Sequence, residues 1–194
     1  MDWPELLEKI SCIIHAQNGH VFYDKGLIKN DWLGNSPALE NEILKKEAEL
    51  KIRLPESYRS FLKSSNGFRQ ISLFVGDLFP VQNIGWITEK EPQLIEILED
   101  IPGIDDDISD KEYFVYGDKQ DSGRYRFEYL KESLVVSGWT NGAFVLLNPK
   151  VQFGDEWEAW VYANWYPGAR RYKSFKKLVL DEYNSTVELL KNKD

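Results

Sequence analysis

Residue types that build common functional sites are scarce in this chain of 194 residues. It contains one cysteine, Cys12, and two histidines, His15 and His20. A single cysteine excludes a framework of intramolecular disulfides and fits a reducing compartment. Together with Asp24, these residues lack the spacing of a standard zinc finger. The sequence therefore favours no metal site, and Cys12, beside an apolar helical stripe, is expected to be buried and inert.

Long apolar runs and an excess of basic charge are also absent. No stretch approaches the roughly 20 apolar residues of a membrane span, and residues 1–5 lack the basic and apolar regions of a secretory signal. With 24 basic and 32 acidic residues, the formal net charge is −8, so the overall charge typical of nucleic-acid-binding proteins is missing. We therefore expect a soluble, cytoplasmic protein that binds neither nucleic acid nor a membrane directly.

Motifs for nucleophilic catalysis and nucleotide binding are missing as well. The chain has no Gly-x-Ser-x-Gly turn and no glycine-rich loop that would cradle a phosphate. Asp155, Glu156 and Glu158 form one carboxylate group that a small hydrolase could use. In a strand, Glu156 and Glu158 share one face, so an outward polar face is the simpler interpretation. The sequence predicts neither enzyme activity nor a cofactor.

The pattern of apolar residues predicts helices near both ends and short strands between them. Trp3, Leu6, Leu7, Ile10 and Ile14 fall on one helical stripe, with Asp2 as its cap. Further helices are predicted from Ser36-Pro37, from Pro55 to Asn66-Gly67, from Pro92 to about Asp100, and after a cap at Ser174. Strands are predicted at 71–75, 84–87, 112–116, 125–130, 134–139, 143–147 and 157–163, with a hairpin turn at Asn141-Gly142 and a short strand at 21–23.

This order of elements indicates the α+β class, with a largely antiparallel twisted sheet flanked by helices. No linker, internal repeat or low-complexity tract interrupts the chain. Residues 1–194 are therefore predicted to form a single domain, with its core at about 36–182 and residues 1–35 as an N-terminal helical extension.

The acidic excess is concentrated in one segment. Residues 99–121 contain nine acidic and two basic residues, a net charge of −7, which leaves −1 for the rest of the chain. The segment, expected to be mostly loop, is either a docking surface for a basic partner or a solvated loop that aids solubility. Its spacing does not match a calcium-binding EF-hand loop. The candidate docking residues are Asp105, Asp106, Asp107, Asp110, Asp118 and Asp121, and the candidate aromatic anchors are Trp86 and Trp139.

Aromatic and basic residues also alternate near the end of the chain. Between 157 and 173 lie Trp157, Trp160, Tyr162, Trp165, Tyr166, Arg170, Arg171, Tyr172 and Lys173. Basic residues interleaved with aromatics can bind single-stranded nucleic acid. Because the run is short and the protein is acidic, we expect instead that the aromatics pack in the core and the basic residues form a rim around the last helix.

Several ordered blocks resemble a known family. Ile52 to Gly67 combines Leu54-Pro55, Tyr58, Phe61-Leu62 and a closing Asn66-Gly67, and the charged helix before it offers Glu42 and Glu47. Later blocks are Phe79-Pro80-Val81, Ile84-Gly85-Trp86, 143–149 ending in Leu-Asn-Pro, 156–160 and 172–175. Together they resemble the SUKH superfamily, named for fungal cell-wall assembly and killer-toxin-resistance regulators and their bacterial relatives, over about residues 38–182.

The resemblance implies a single SUKH-like domain that binds proteins and catalyses no reaction. Bacterial members resemble immunity proteins that hold a cognate polymorphic toxin inactive in the producing cell, whereas fungal members are cell-wall and signalling regulators. We therefore expect a bacterial immunity protein that binds a toxin domain stoichiometrically, such as a basic nuclease attracted by the acidic segment. A regulatory scaffold of the cell-wall type and a small carboxylate-dependent hydrolase are the alternatives.

Overall fold

A computed structural model describes residues 1–17, 21–25, 28, 30–104, 108–165 and 168–191. The helices are α1 (Trp3–His15), α2 (Glu40–Leu50), α3 (Glu56–Ser64), α4 (Ile87–Lys90), α5 (Pro92–Glu99), α6 (Asp110–Tyr113), α7 (Phe127–Lys131) and α8 (Phe175–Lys191). The strands are β1 (Gly85–Trp86), β2 (Leu134–Val135), β3 (Ala143–Phe153), β4 (Glu156–Ala163) and β5 (Gly168–Tyr172). Within these ranges, no helix is long and apolar enough to cross a bilayer. The predicted α+β class is confirmed.

The five strands form one antiparallel sheet in the order β1-β2-β3-β4-β5. β3 and β4 pair over most of their lengths and form its centre. The predicted hairpin turn joins β2 to β3, and both of its residues have positive φ, 51° at Asn141 and 77° at Gly142. Such turns match the right-handed twist of paired strands, which explains why Asn-Gly stands there.

Both faces of the sheet are covered. Val145 and Leu147 of β3 belong to one apolar cluster, with side chains of α1, α2, α3 and α8. Phe144 and Leu146 point the other way, into a second cluster formed with side chains of α4, α5, α6 and α7. Because successive side chains of a strand alternate between faces, a central strand of this sheet has no solvent-facing side.

Helix α1 is part of the first cluster. Its Trp3 ring lies 5.5 Å from the ring of Phe61 in α3 and 5.7 Å from that of Phe175 in α8. The Asp2 carboxylate accepts a hydrogen bond from the backbone N–H of Glu5 at 3.0 Å, as a cap should. Cys12 is exposed, so its predicted burial is wrong: the residue lies beside the buried stripe rather than on it.

Two predicted strands are replaced over part of their lengths by short helices. At 112–116 the capping pair Ser109 and Glu112 starts α6: each side chain accepts a hydrogen bond from the other residue's backbone N–H. At 125–130 the chain forms α7, where Phe127 and Leu130, three positions apart, are both buried. The aromatic composition favoured strands, but local capping and helical spacing of the buried residues outweigh it.

Other boundaries differ from the predictions for equally local reasons. The second helix begins at Glu40 rather than at Ser36-Pro37, because the backbones of Ser36 and Ala38 bond to the α3 exit and to α3 itself. Residues 71–75 form a turn closed by Ile71 N to Val75 O at 3.1 Å, and residues 21–23 form no strand. Of the strands predicted at 84–87 and 134–139, only Gly85–Trp86 and Leu134–Val135 are paired strands. β5 was not predicted, because Gly-Ala-Arg-Arg-Tyr lacks a strand-like composition.

Candidate functional site

In its described part, the acidic segment, predicted to be mostly loop, contains two short helical elements. Asp110 begins α6 and Asp118 lies in a 3-10 turn, and both are exposed. The carboxylate of Asp121 accepts a hydrogen bond from the Gly123 backbone at 2.9 Å and so closes a turn. Three of the candidate docking residues, Asp105, Asp106 and Asp107, lie outside the described residues.

Arg126 joins this segment to the rest of the protein. Its guanidinium donates to the Ile108 backbone carbonyl at 2.6 and 3.1 Å and pairs with the Asp110 carboxylate at 2.6 Å. It also lies over the Tyr113 ring, with its Cζ atom 4.9 Å from the ring centroid. Asp110, one of the predicted docking carboxylates, therefore also has a structural contact within the fold.

Trp86 lies half-buried in β1 at the edge of an open cleft of about 440 Å³. Ile52 and Pro149 supply further apolar surface, and Lys150 pairs with Glu132 at 2.7 Å on the rim. The indole ring therefore has one face in the core and the other towards solvent.

Trp139 occupies a separate place, beside the β2–β3 turn. Its side chain is 40% exposed, and its ring lies 4.2 Å from that of Phe144. Trp86 packs against the first apolar cluster, whereas the Trp139 ring lies beside Phe144 and Tyr162 of the second. The structure does not bring the two predicted anchors into one site.

Further exposed aromatic surface surrounds the same turn. Trp165 is 48% exposed and donates its indole N–H to the Asn141 carbonyl at 2.8 Å. The ring of Phe74, 36% exposed, lies 5.9 Å from it. The alternation of side chains in the predicted strand 71–75 could not have shown that Phe74 is exposed, because these residues form a turn instead.

Glu158 is buried, which contradicts the predicted outward polar face. It lies on the second face of β4, beneath α6 and the segment that follows, and is 0% exposed. Its carboxylate accepts hydrogen bonds at 2.6–2.9 Å from Tyr113 Oη, Tyr116 Oη, Asn148 Nδ2 and Trp160 Nε1. Four donors saturate an acceptor-only carboxylate. Burial, followed by the charge of Glu158, raises the pKa of both tyrosine hydroxyls, so both remain donors.

Arg171 is the buried basic partner of this group. Its side chain is 0% exposed, its Nη1 atom lies 3.7 Å from Glu158 Oε1, and its guanidinium Cζ atom lies 4.1 Å from the Tyr113 ring centroid. The same nitrogen donates to the Tyr113 backbone carbonyl. The prediction that Arg171 belongs to a basic rim around α8 is therefore wrong, because β5 places its side chain under α6. The charged pair is enclosed, out of reach of a substrate.

The other two carboxylates of the hydrolase alternative also have structural contacts. Glu156 caps α3: its carboxylate accepts from the Ser57 backbone N–H at 3.0 Å and from the Ser57 hydroxyl at 2.5 Å. The backbone carbonyl of Asp155 accepts from Glu56 N at 3.1 Å, and its side chain lines an open cleft with Arg53. The three do not converge on one solvent-facing site.

No candidate metal centre is found in the part of the chain that the structure describes, where no three His, Cys, Asp or Glu side chains are grouped suitably. His20, one member of the zinc set weighed from the sequence, lies outside it. His15 ends α1, and its Nε2 atom lies 2.8 Å from the Asp31 carboxylate.

The residues that carry the family resemblance build the fold. Glu47 of α2 accepts from Leu54 N at 2.8 Å and pairs with Arg59 of α3 at 2.5 Å. Asn66 accepts from Val81 N at 2.7 Å, and Gly67 has a φ of 91°. These contacts fix how α2, α3 and the following chain join, so the motif itself marks no binding surface.

Comparison with known proteins agrees with this architecture. No curated protein matches the sequence. The sequence model of the SMI1 / KNR4 family (SUKH-1) matches residues 37–181, which span α2 to the first half of α8 and include all five strands. The chain therefore belongs to the SMI1 / KNR4 family, SUKH-1.

Proposed function

We propose that this protein is an immunity protein that neutralises a cognate polymorphic toxin by stoichiometric binding. The observation that carries the proposal is the contrast between interior and surface charge. The fully buried carboxylate Glu158 is saturated by partners inside the fold, whereas the excess acidic charge lies in one segment with exposed carboxylates such as Asp118. Family membership supports a protein that acts by binding rather than by catalysis.

The acidic segment has the charge that attracts a basic protein. Toxin domains that cleave nucleic acid need basic surfaces, because phosphate binding requires them. A negative surface on the immunity protein accelerates such an encounter, and the effect weakens as salt screens the charges. Occupying the toxin's phosphate-binding surface would block its substrate, which requires no reaction by the immunity protein.

Partly exposed aromatic side chains would supply affinity after the encounter. Trp86 and Trp139 each keep one part of the ring in the core and another in solvent, so little side-chain freedom remains to be lost on binding. Because the two side chains pack against different clusters of the sheet, a partner that covered both would occupy a broad surface rather than one pocket.

The test is capture of the tagged protein from its native host, followed by purification of the complex. Recovery of one toxin domain at a one-to-one ratio, inactive while bound and active when released, would support the proposal. Recovery of cell-wall or signalling proteins without a toxin would instead favour the regulatory scaffold.

The acidic segment is tested on the purified pair by reversing Asp105, Asp106 and Asp107 to lysine. Glu188→Lys, at an exposed carboxylate on α8, controls for a charge reversal outside the segment. We expect the triple reversal to lower the association rate constant at least about tenfold at low salt, with a smaller loss at high salt. An unchanged rate constant, or an equal loss in the control, would refute electrostatic steering by this segment.

A further inference from the structure

Helix α5 presents an outer face that is partly apolar. Ile95 and Leu98 point into the second cluster, whereas Glu96, Ile97 and Asp100 are exposed. The exposed fraction is 64% for Ile97 and 45% for Ile101, which follows the helix. The backbone N–H of Ile101 bonds to Leu98 O at 3.0 Å and so continues the turn.

The spacing places these exposed residues side by side. Ile97 and Ile101 are four residues apart, as are Glu96 and Asp100, and side chains at this spacing are neighbours on a helix surface. The α5 face, defined here as Glu96, Ile97, Asp100 and Ile101, thus has an apolar row next to an acidic row. The two isoleucines therefore form one continuous apolar patch rather than two separate apolar exposures.

The charge around this face is of one sign. Residues 91–110 contain eight acidic residues and no lysine or arginine, while the rest of the chain has 24 residues of each sign. Two of the eight are paired: Glu99 with Lys131 at 3.5 Å and Asp110 with Arg126 at 2.6 Å. Within the described residues, Glu96 and Asp100 have no ion-pair partner.

We propose that the α5 face docks a basic amphipathic helix of the partner protein. The inference rests on the proposed function and names the chemistry of the toxin surface that is recognised. A partner helix with apolar residues one turn apart can cover Ile97 and Ile101, and lysine or arginine beside them can pair with Glu96 and Asp100. The stretch from 93 to 101 is about 12 Å long, which matches two turns of such a helix.

The probe for the test is a 14-residue helical peptide of lysine and leucine, with leucine at positions i, i+3, i+4 and i+7. A scrambled peptide of the same composition controls for charge alone. Binding to the full chain is measured by fluorescence anisotropy, and the contacted residues are mapped by amide chemical shifts. The variants are Ile97→Gln with Ile101→Gln, and Glu96→Lys with Asp100→Lys. The control variants are Leu44→Gln, at a leucine that is 53% exposed on α2, and Glu188→Lys.

We expect the wild type to bind the amphipathic peptide about tenfold more tightly than the scrambled one, with shifts at 96–101. Each double variant is expected to lower the affinity for the amphipathic peptide about tenfold, and each control variant less than twofold. Equal binding of the two peptides, shifts confined to other residues, or an equal loss in the controls would overturn the proposal. Self-association of the chain through this face, abolished by the isoleucine variants, would identify a second copy as the occupant and would also overturn it.

The captured toxin separates this inference from the proposed function. A toxin that is neutralised with unchanged affinity by the Ile97→Gln and Ile101→Gln variant refutes the α5 face and leaves the immunity function standing. Recovery of a different class of partner refutes the immunity function, while the peptide titration still decides what the α5 face binds.

Discussion

Replacing Glu158 by glutamine is expected to destabilise the fold strongly, although the two side chains have nearly the same shape. The carboxylate is 0% exposed and accepts four hydrogen bonds. A glutamine offers one acceptor oxygen in place of two, and its NH2 group, itself a donor, would face groups that also donate. It also removes the negative charge 3.7 Å from Arg171, which is itself fully buried.

The magnitude follows from leaving a buried charge without its partner. Breaking a buried ion pair on one side costs about 3–5 kcal/mol. For a domain of this size, each kcal/mol lowers Tm by about 2–4 °C, so a decrease of about 10 °C is expected. The loss is a large fraction of the free energy of unfolding of an ordinary domain, about 5–15 kcal/mol.

The assay is urea unfolding followed by tryptophan fluorescence, with two comparison variants. Glu132→Gln removes an exposed carboxylate that pairs with Lys150 at 2.7 Å, and such a pair contributes less than about 1 kcal/mol. Adding Arg171→Met to Glu158→Gln removes both buried charges and is expected to restore at least about 1 kcal/mol. The reasoning is refuted if Glu158→Gln costs no more than Glu132→Gln, or if adding Arg171→Met to Glu158→Gln lowers the stability further.

Three smaller predictions concern stability. Burial raises the pKa of the Glu182 carboxyl group above its ordinary value of 4.5. The folded state therefore binds the carboxyl proton more tightly than the unfolded state, and the free energy of unfolding falls as pH rises above that value. In urea unfolding, Glu182→Gln should reduce this fall between pH 4 and 8, and an unchanged dependence on pH would contradict the prediction. Gly142→Ala should cost more than Gly154→Ala, because both have positive φ (77° and 65°) but only at 142 does a methyl group meet another side chain; each should cost at least about 1 kcal/mol in thermal unfolding, and equal costs would argue against the contact. Ser174→Ala removes the cap that accepts from Lys177 N at 3.2 Å and should cost about 1 kcal/mol in the same assay; no change would show that the cap is dispensable.

Elements with strong local signals were predicted well. α1, α5 and α8 each combine a helical apolar stripe with a cap or an initial proline, and all three form close to the predicted positions. The Asn141-Gly142 hairpin has the same basis, because few residues other than Asn and Gly adopt its backbone conformation readily. In the family motif, Pro55 precedes α3 and Gly67 supplies the positive φ after it.

Short elements were predicted poorly because composition and periodicity are ambiguous over five residues. α6 and α7 have four and five residues, too few to show a helical stripe. Their helical state depends on the Ser109–Glu112 capping pair and on burial of Phe127 and Leu130 against the sheet. The acidic excess could be counted from the sequence and Trp139 named as a candidate anchor, but the exposed Ile97 could not be identified, because exposure on α5 depends on which of its residues meet the sheet.

The sequence by itself determined the fold class, the family, the long helices and the position of the negative charge, since each depends on local spacing or on counts of residues. Only the tertiary structure decided what covers each face of the sheet. Alternation along β4 places Glu158 opposite Trp157, but it does not say whether that face meets water. β5 lacks a strand-like composition and α6 is too short to predict from the sequence. These two elements and the chain after α6 cover Glu158 and bring Arg171 and two tyrosines to its carboxylate. A strand's own residues therefore fix which side chains share a face, while the elements packed against that face decide whether a charge there is exposed for recognition or buried within the core.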